Sequence, residues 1–253
     1  MRLLAWKDGN VIEASQLRLE HPYVMQRIHT LGHKAYNVAQ HVELLREGSM
    51  TLFGFASRCG AADAQRIIDK LLEVSRVSPS LSTPVVMRID STGDLSFEVE
   101  TPLYNSGICL RAKRLIGEYI KMSHPEVNCQ TSLTLAMDAM AESMVKWHGG
   151  DTPIWVDADN NVISLPWRPI FAIYNNQIYT PAELNTVAYT SVIKAIKRLE
   201  LDLNIRVIPA DSLQRMDEVF IADIMAVTSL SAIQKSRLLS VVTSRIVDRM
   251  EPK

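Results

Sequence analysis

The chain alternates between segments with helical periodicity and segments that resemble strands, and this alternation restricts the fold most strongly. After Asp63, apolar residues recur at helical spacing at Ile67, Ile68, Leu71 and Leu72, which predicts an amphipathic helix. The Ser/Pro-rich stretch SRVSPSLSTP ends this helix. The runs VVMRID and LSFEVE follow, with turn residues between them, and predict a β-hairpin.

The second half of the chain repeats this alternation. Its alanines, methionines and leucine predict a helix from Leu133 to Val145, and its apolar spacing predicts another from Val187 to Leu199. Between these helices lie the runs IWVDADNNVIS and FAIYNNQIYTP, each with asparagines at its centre. Because asparagine tolerates the left-handed backbone of tight turns, each run predicts a pair of strands. The fold class is therefore α/β (α+β).

Length and composition indicate how many domains to expect. A chain of 253 residues with 47% hydrophobic content can bury enough core for two modest domains. The turn-rich stretch TPLYNSG separates the two halves. We therefore expect a small N-terminal α/β domain over 1–104 and a larger C-terminal α/β domain over 108–253.

Charge and cysteine content exclude several classes of partner. The net charge is -1 at pH 7, so no global positive field attracts nucleic acid or an anionic membrane. No uncharged apolar run reaches the roughly 18 residues that a membrane helix requires. Cys59, Cys109 and Cys129 form an odd set without C-x-x-C spacing, and the start MRLLAWKDGN lacks the apolar core of a signal peptide. These features predict a soluble cytoplasmic protein with reduced thiols.

The sequence carries no common catalytic or metal-binding motif. G-x-G-x-x-G, Walker, G-x-S-x-G and H-E-x-x-H patterns do not occur. His29 and His33 lie four residues apart, but zinc would need further ligands at defined spacing, so no metal is expected. Cys129 lies near His124 in sequence, and a buried, inert thiol is a simpler interpretation than a nucleophile. The basic run RAKR, which begins at Arg111, is interpreted as a solvated edge.

Three stretches, taken in order, resemble one family. AYNVAQHVELLREGSMTLFG is similar to a strand and helix with a histidine at the helix start, matched here by His41. IWVDADNNVISLPWRPIFAIYNNQIYTP resembles a strand, turn, strand, loop and strand that end in Tyr-Thr-Pro. The most specific stretch is SVIKAIKRLELDLNIRVIPADSLQRMDEVFIADIMAVTSLSAI, with its Asp-Glu-Val-Phe strand and small-residue turn. Together they resemble the class IV aminotransferases, pyridoxal phosphate enzymes of fold type IV that include branched-chain and D-amino-acid aminotransferases and aminodeoxychorismate lyase.

This resemblance implies a two-domain fold, a homodimer and a lysine that forms a Schiff base with the cofactor. In the family that lysine follows a Pro-Glu-Leu-like strand end and precedes a helix. Asn128 stands at this position, with Cys129 or Gln130 there if the alignment shifts. The stretch from Ser123 to Val145 contains no lysine.

Three further cofactor positions also depart from the family pattern. Ser164 stands where the resemblance implies the glutamate that faces the pyridine nitrogen. Tyr189 replaces the arginine at the start of the phosphate-binding helix. Asp223 brings negative charge to the turn that holds the phosphate, which opposes binding of that anion.

These departures predict a class IV aminotransferase-like protein that has lost pyridoxal phosphate and catalysis, a pseudoenzyme with a binding or scaffolding role. No cofactor is then expected. The cleft between the domains could hold another small molecule, with Trp167, Arg168, Tyr189 and Asp223 in place of the cofactor contacts. The alternative for these four positions is ordinary packing and surface filling.

Two other hypotheses stay open at this point. The chain could be an active pyridoxal phosphate aminotransferase or aminodeoxychorismate lyase whose Schiff-base lysine is relocated to Lys121, with Lys113 as the other nearby candidate. Alternatively, the family resemblance could be spurious. That would be exposed if the DEVF strand and the helix over 187–199 failed to pack in one domain.

Overall fold

The computed structural model describes residues 2–103, 105–111, 115–123 and 127–252. In chain order, its helices and strands are β1 (Leu4–Lys7), β2 (Asn10–Glu13), β3 (Tyr23–Leu31), β4 (Lys34–Ala35), α1 (Val38–Phe53), α2 (Ala61–Ser75), β5 (Thr83–Asp90), β6 (Leu95–Val99), β7 (Cys109–Leu110), β8 (Leu115–Lys121), β9 (Gln130–Thr131), α3 (Ser132–Trp147), β10 (Thr152–Val156), β11 (Ile170–Tyr174), β12 (Gln177–Thr180), α4 (Val187–Arg198), β13 (Leu203–Ile205), β14 (Glu218–Ala222), β15 (Ala226–Ile233), β16 (Ser236–Arg237) and α5 (Val241–Val247).

The chain forms two compact units that are not continuous in sequence. The first unit comprises Met1–Ile108, Val127–Leu133 and Pro252–Lys253, and the second comprises Cys109–Glu126 and Thr134–Glu251. The short segment that contains β9 therefore belongs to the first unit, although the residues on either side of it belong to the second. The domain limits expected from the sequence, 1–104 and 108–253, stay a prediction.

The first unit is built on a seven-stranded sheet with the order β2-β1-β6-β5-β3-β4, to which β9 adds by pairing with β3. Val24, Ile28 and Phe97 point to one face and are fully buried against Ile68 and Leu71 of α2. Each such side chain contributes roughly 1.5–3 kcal/mol by burial, and the period-2 and helical patterns of the sequence arise from this packing. The predicted amphipathic helix and the β5–β6 hairpin are confirmed.

The second unit is built on a nine-stranded sheet. Its order is β10-β8-β15-β14-β11-β12-β13, and β7 and β16 both pair with β15. Rings of Tyr189 in α4, Phe171 in β11 and Phe220 in β14 form a continuous stack, with centroid separations of 5.7 Å and 5.1 Å. The DEVF strand and the helix over 187–199 therefore pack in one unit, contrary to what a spurious family resemblance would produce.

The two asparagine-centred runs have different structures. FAIYNNQIYTP forms the β11–β12 hairpin, in which Asn175 and Asn176 both adopt positive φ, as predicted. In IWVDADNNVIS, Val156 and Val162 make only an isolated bridge. The N–H groups of Asp157 and Ile163 donate to the Asn161 and Trp155 carbonyl oxygens at 2.9 Å and 2.8 Å, so the two arms are hydrogen-bonded across the turn although the second arm forms no full strand. β10 also pairs with β8, in parallel.

Candidate functional site

The residues that match the family's lysine position lie in and just before β9. Asn128 is exposed, whereas Cys129 and Gln130 are buried. β9 pairs antiparallel with β3, with Gln130 opposite Met25, and α3 begins two residues later at Ser132. The strand followed by a helix that the resemblance implies is thus present. Asn128, Cys129 and Gln130 have neutral side chains without an amine.

Cys129 is a packing residue on the helix-covered side of the first sheet. It is 1% exposed, and its burial raises the pKa of the thiol to about 12, with a smaller contribution from the charge of Glu47. Because the thiolate is the nucleophilic form of cysteine, this thiol is inert at neutral pH. A Cβ added at Gly48 of α1 would lie 2.3 Å from the Cys129 Sγ, so α1 approaches β9 this closely only because residue 48 is glycine.

Replacing Gly48 by alanine is expected to destabilise the protein by about 1–2 kcal/mol. Alanine favours the helix by roughly 1 kcal/mol, but the overpacking against the Cys129 sulfur costs more than this gain. In a Cys129→Ala background the sulfur is gone, and the same substitution is expected to stabilise. Urea unfolding of the four proteins of this cycle measures both effects. A Gly48→Ala effect of the same sign and size in both backgrounds would contradict the contact.

The lysines nearest in sequence to Asn128 are exposed at the end of a strand and at the end of a helix. Lys121, the last residue of β8, is exposed, and its Nζ donates a hydrogen bond to the Ala158 carbonyl oxygen at 2.7 Å. Lys146 lies exposed in the last turn of α3, where its charge complements the helix dipole. Lys113 and His124 lie outside the described residues.

Ser164 shapes a tight turn before β11. Its side chain is buried, and its Oγ accepts a hydrogen bond from the Ile170 N–H at 3.1 Å. Leu165 and Arg168 form an isolated bridge across this turn. The hydroxyl at this position therefore satisfies a buried backbone donor, and it carries no charge.

The first turn of α4 packs against aromatic side chains. Tyr189 is buried in the ring stack with Phe171 and Phe220, and burial raises the pKa of its hydroxyl, with a further contribution from the charge of Glu183. Thr186 is the N-cap residue, yet its side chain makes no capping bond. Its Oγ1 is buried and has no hydrogen-bond partner in the part of the chain that is described.

Asp223 sits in the turn between β14 and β15 and is held by several donors. Its Oδ1 accepts hydrogen bonds from the N–H groups of Met225 and Ala226 at 2.7 Å and 2.9 Å. Its Oδ2 lies 2.6 Å from Nη2 of Arg111. Arg111, in the basic run that the sequence predicts as a solvated edge, is partly exposed and forms an ion pair with this carboxylate. The two residues are 112 positions apart in the sequence, and no local pattern links them.

Trp167 and Arg168 contact α3 and the start of β10. Trp167 Nε1 donates to Asp138 Oδ2 at 2.9 Å, and Arg168 Nη2 donates to Thr152 Oγ1 at 2.9 Å. These partners differ from those of Asp223 and of Tyr189.

The two histidines that lie four residues apart have separate hydrogen-bond partners. His29 lies in β3 rather than on a helix, and its Nε2 is 2.8 Å from Ser82 Oγ. His33 follows in a turn, where its Nε2 is 2.9 Å from the Val77 carbonyl oxygen. Within residues 2–103, 105–111, 115–123 and 127–252, no group of three His, Cys, Asp or Glu side chains is arranged to hold a metal ion.

None of the described helices is long and apolar enough to cross a bilayer.

Solved structures that resemble this chain include aminotransferases. An aminotransferase from Brucella abortus bound to PLP superposes with a TM-score of 0.84 at 13% identity, over 98% of this chain and 97% of that one. A branched-chain aminotransferase from Thermoproteus uzoniensis with norvaline gives 0.81 at 16% identity, over 98% and 93%. The Escherichia coli branched-chain amino acid aminotransferase gives 0.80 at 13% identity, over 97% and 92%.

The family profile extends over most of the sequence. The Amino-transferase class IV family matches residues 24–228, and the chain belongs to this family. No curated protein matches the sequence significantly. At the low identity of the solved structures, the likeness establishes the two-sheet fold and not the chemistry.

Proposed function

We propose that this chain keeps the class IV aminotransferase fold without pyridoxal phosphate chemistry, and that it acts as a binding or scaffolding protein. The observation that carries the proposal is the content of β9 and the segment before it. Asn128, Cys129 and Gln130 stand where the family resemblance requires a lysine. None of them has an amine that can form a Schiff base.

The other groups at the site also suit this cofactor poorly. A carboxylate is needed to keep the pyridine nitrogen protonated, but the Ser164 hydroxyl is neutral and already accepts a backbone N–H. Asp223 carries negative charge at the turn that resembles the phosphate-binding turn, where it opposes a second anion. The residues present therefore do not fit pyridoxal phosphate, and a different small molecule or a protein partner is the proposed ligand.

The alternative, an active enzyme that uses Lys121, has less support. The side chain of Lys121 is exposed and donates to the Ala158 carbonyl. It lacks the apolar pocket in which a Schiff-base lysine is desolvated.

Incubation with pyridoxal phosphate, reduction with borohydride and peptide mapping test the proposal. The protein is expected to stay colourless and to carry no stoichiometric label, since no lysine occupies the family position. Lys121→Gln and Lys146→Gln are matched variants, each removing one exposed amine from the second unit. A visible absorbance band with a one-to-one label that Lys121→Gln abolishes and Lys146→Gln retains would overturn the proposal in favour of the enzyme.

We also propose that the protein is a cytoplasmic homodimer. Class IV aminotransferases are typically dimeric, and α3 exposes a line of apolar side chains at Met140, Met144 and Trp147, the last of them 89% exposed. The three cysteines are free thiols, as a reducing compartment favours. Sedimentation velocity is expected to give about twice the chain mass of 28.4 kDa. A monomer at every concentration would exclude the dimer.

A further inference from the structure

The turn between β14 and β15 directs two backbone donors at one point. The Asp223 N–H donates to the Ala226 carbonyl oxygen at 2.9 Å and closes the turn. The N–H groups of Met225 and Ala226 converge on the Asp223 Oδ1, at 2.7 Å and 2.9 Å. Convergent amides of this kind form a concavity that binds anions. Here the anion is a side chain of the turn itself.

A guanidinium completes this group of donors. Arg111 follows β7, and its own N–H donates to the Val227 carbonyl oxygen at 2.8 Å. Its Nη1 donates to Thr228 Oγ1 at 2.8 Å, and its Nη2 lies 2.6 Å from Asp223 Oδ2. The arginine is therefore fixed by β15 at its backbone and by Thr228 at its head. Its position does not depend on Asp223 alone.

The ion pair remains accessible to solvent. The side chains of Arg111 and Asp223 are 39% and 25% exposed. A small anion can thus reach the guanidinium and the turn, provided that the carboxylate is removed. Charge-assisted hydrogen bonds from arginine and from amides are the contacts that phosphate prefers.

We propose that Asp223 is an internal anion that fills an anion site formed by Arg111 and the amides of Met225 and Ala226, so that the chain itself occupies its phosphate-binding turn. The inference rests on the proposed function and deepens it, because it names the chemical reason why a phosphorylated ligand is excluded at this turn. It also predicts a latent site for inorganic phosphate that one substitution opens.

Asp223→Ala is expected to bind inorganic phosphate at least about tenfold more tightly than the unmodified protein, because the substitution frees three donors and removes a like charge. Asp223→Asn is the matched control, since its amide oxygen can still accept from both backbone N–H groups while its charge is gone. We expect it to gain much less than the alanine variant. Adding Arg111→Gln to Asp223→Ala is expected to abolish the gain.

Isothermal titration with inorganic phosphate at constant ionic strength measures these affinities, with circular dichroism to establish that each variant is folded. Asp223→Gly frees the same donors and replaces the alanine variant if that one does not fold. The inference is overturned if a folded Ala or Gly variant binds phosphate within about twofold of the unmodified protein, or if the Arg111→Gln addition leaves the gain intact. The titration contains no pyridoxal phosphate, so its failure is distinct from stoichiometric lysine labelling, which would contradict the proposed function instead.

Discussion

Lowering the pH from 6.5 towards 3 is expected to destabilise this protein by up to about 5 kcal/mol through His41 alone. His41 lies in the first turns of α1, 3% exposed, and its Nδ1–H donates to Gln26 Oε1 at 2.9 Å. Burial lowers its pKa from 6.5 to about 3, and its Nε2 is buried without a partner among the described residues. The folded protein therefore holds this imidazole neutral.

The direction of the effect follows from proton binding. The unfolded chain protonates His41 near pH 6.5, whereas the folded chain does so only near 3. This stability is fully present above 6.5 and is lost as the pH falls through that window, by about 1.4 kcal/mol per pH unit.

Urea unfolding at intervals between pH 7.5 and 4.5 measures the slope, which His41→Asn is expected to flatten by about one proton. Asparagine retains a donor for Gln26 and does not titrate. His33→Asn, at an exposed turn of positive φ in the same unit, is the matched histidine replacement. Parallel slopes for the unmodified protein and His41→Asn would show that the histidine is not held neutral by the fold.

Replacing Glu218 by alanine is expected to lower the free energy of unfolding by about 2–4 kcal/mol. Glu218 opens the DEVF strand β14 and is 2% exposed. Its carboxylate accepts the N–H groups of Val242 and Thr243 and the Thr243 hydroxyl, at 2.8 Å, 2.8 Å and 2.7 Å. Truncation removes the acceptor of all three donors, of which the two of Thr243 are buried, and takes an anion away from the N-terminal turn of α5.

Denaturant unfolding and hydrogen exchange of the α5 amides test this role together. Glu218→Gln retains one acceptor oxygen and is expected to lose less stability than Glu218→Ala. Thr243→Val removes only the hydroxyl donor and is expected to cost least. A change below about 0.5 kcal/mol in Glu218→Ala, with unaltered exchange in α5, would exclude a capping function.

His41 and Glu218 both belong to sequence motifs on which the family resemblance rests. His41 matches the histidine at the helix start, and Glu218 belongs to the Asp-Glu-Val-Phe strand. Each side chain is engaged in packing and hydrogen bonding within its own unit: His41 in the first and Glu218 in the second. Such contacts stabilise the fold whether or not a cofactor binds, which agrees with a proposed function that needs the fold and not the chemistry.

Local patterns were sufficient where the structure is formed by neighbouring residues. The helices α2 and α4 follow from apolar spacing, and the β11–β12 hairpin follows from Asn175 and Asn176, which accept positive φ at low cost. The second asparagine run is hydrogen-bonded across its turn but forms only one full strand, β10, whose parallel partner β8 lies more than thirty residues earlier. Periodicity reports the state of a segment and does not identify a distant partner.

The candidate site also has features that the sequence predicts and features that only the structure shows. That Asn128, Ser164, Tyr189 and Asp223 stand at the family's cofactor positions is a prediction made from the sequence alone, because residue identity at a matched motif needs no coordinates. That Ser164 caps the Ile170 N–H, or that Tyr189 joins a ring stack, was not readable from the sequence.

The sequence by itself determined the α/β alternation, the helices, the family and the lack of a lysine between Ser123 and Val145, since each depends on residue type and short-range spacing. Only the tertiary structure decided that β9 joins the first sheet, that Gly48 meets Cys129, and that Arg111 lies on Asp223. These contacts join residues far apart in the chain. Their geometry depends on the sheets that bring them within a few ångströms, and no local pattern encodes that distance.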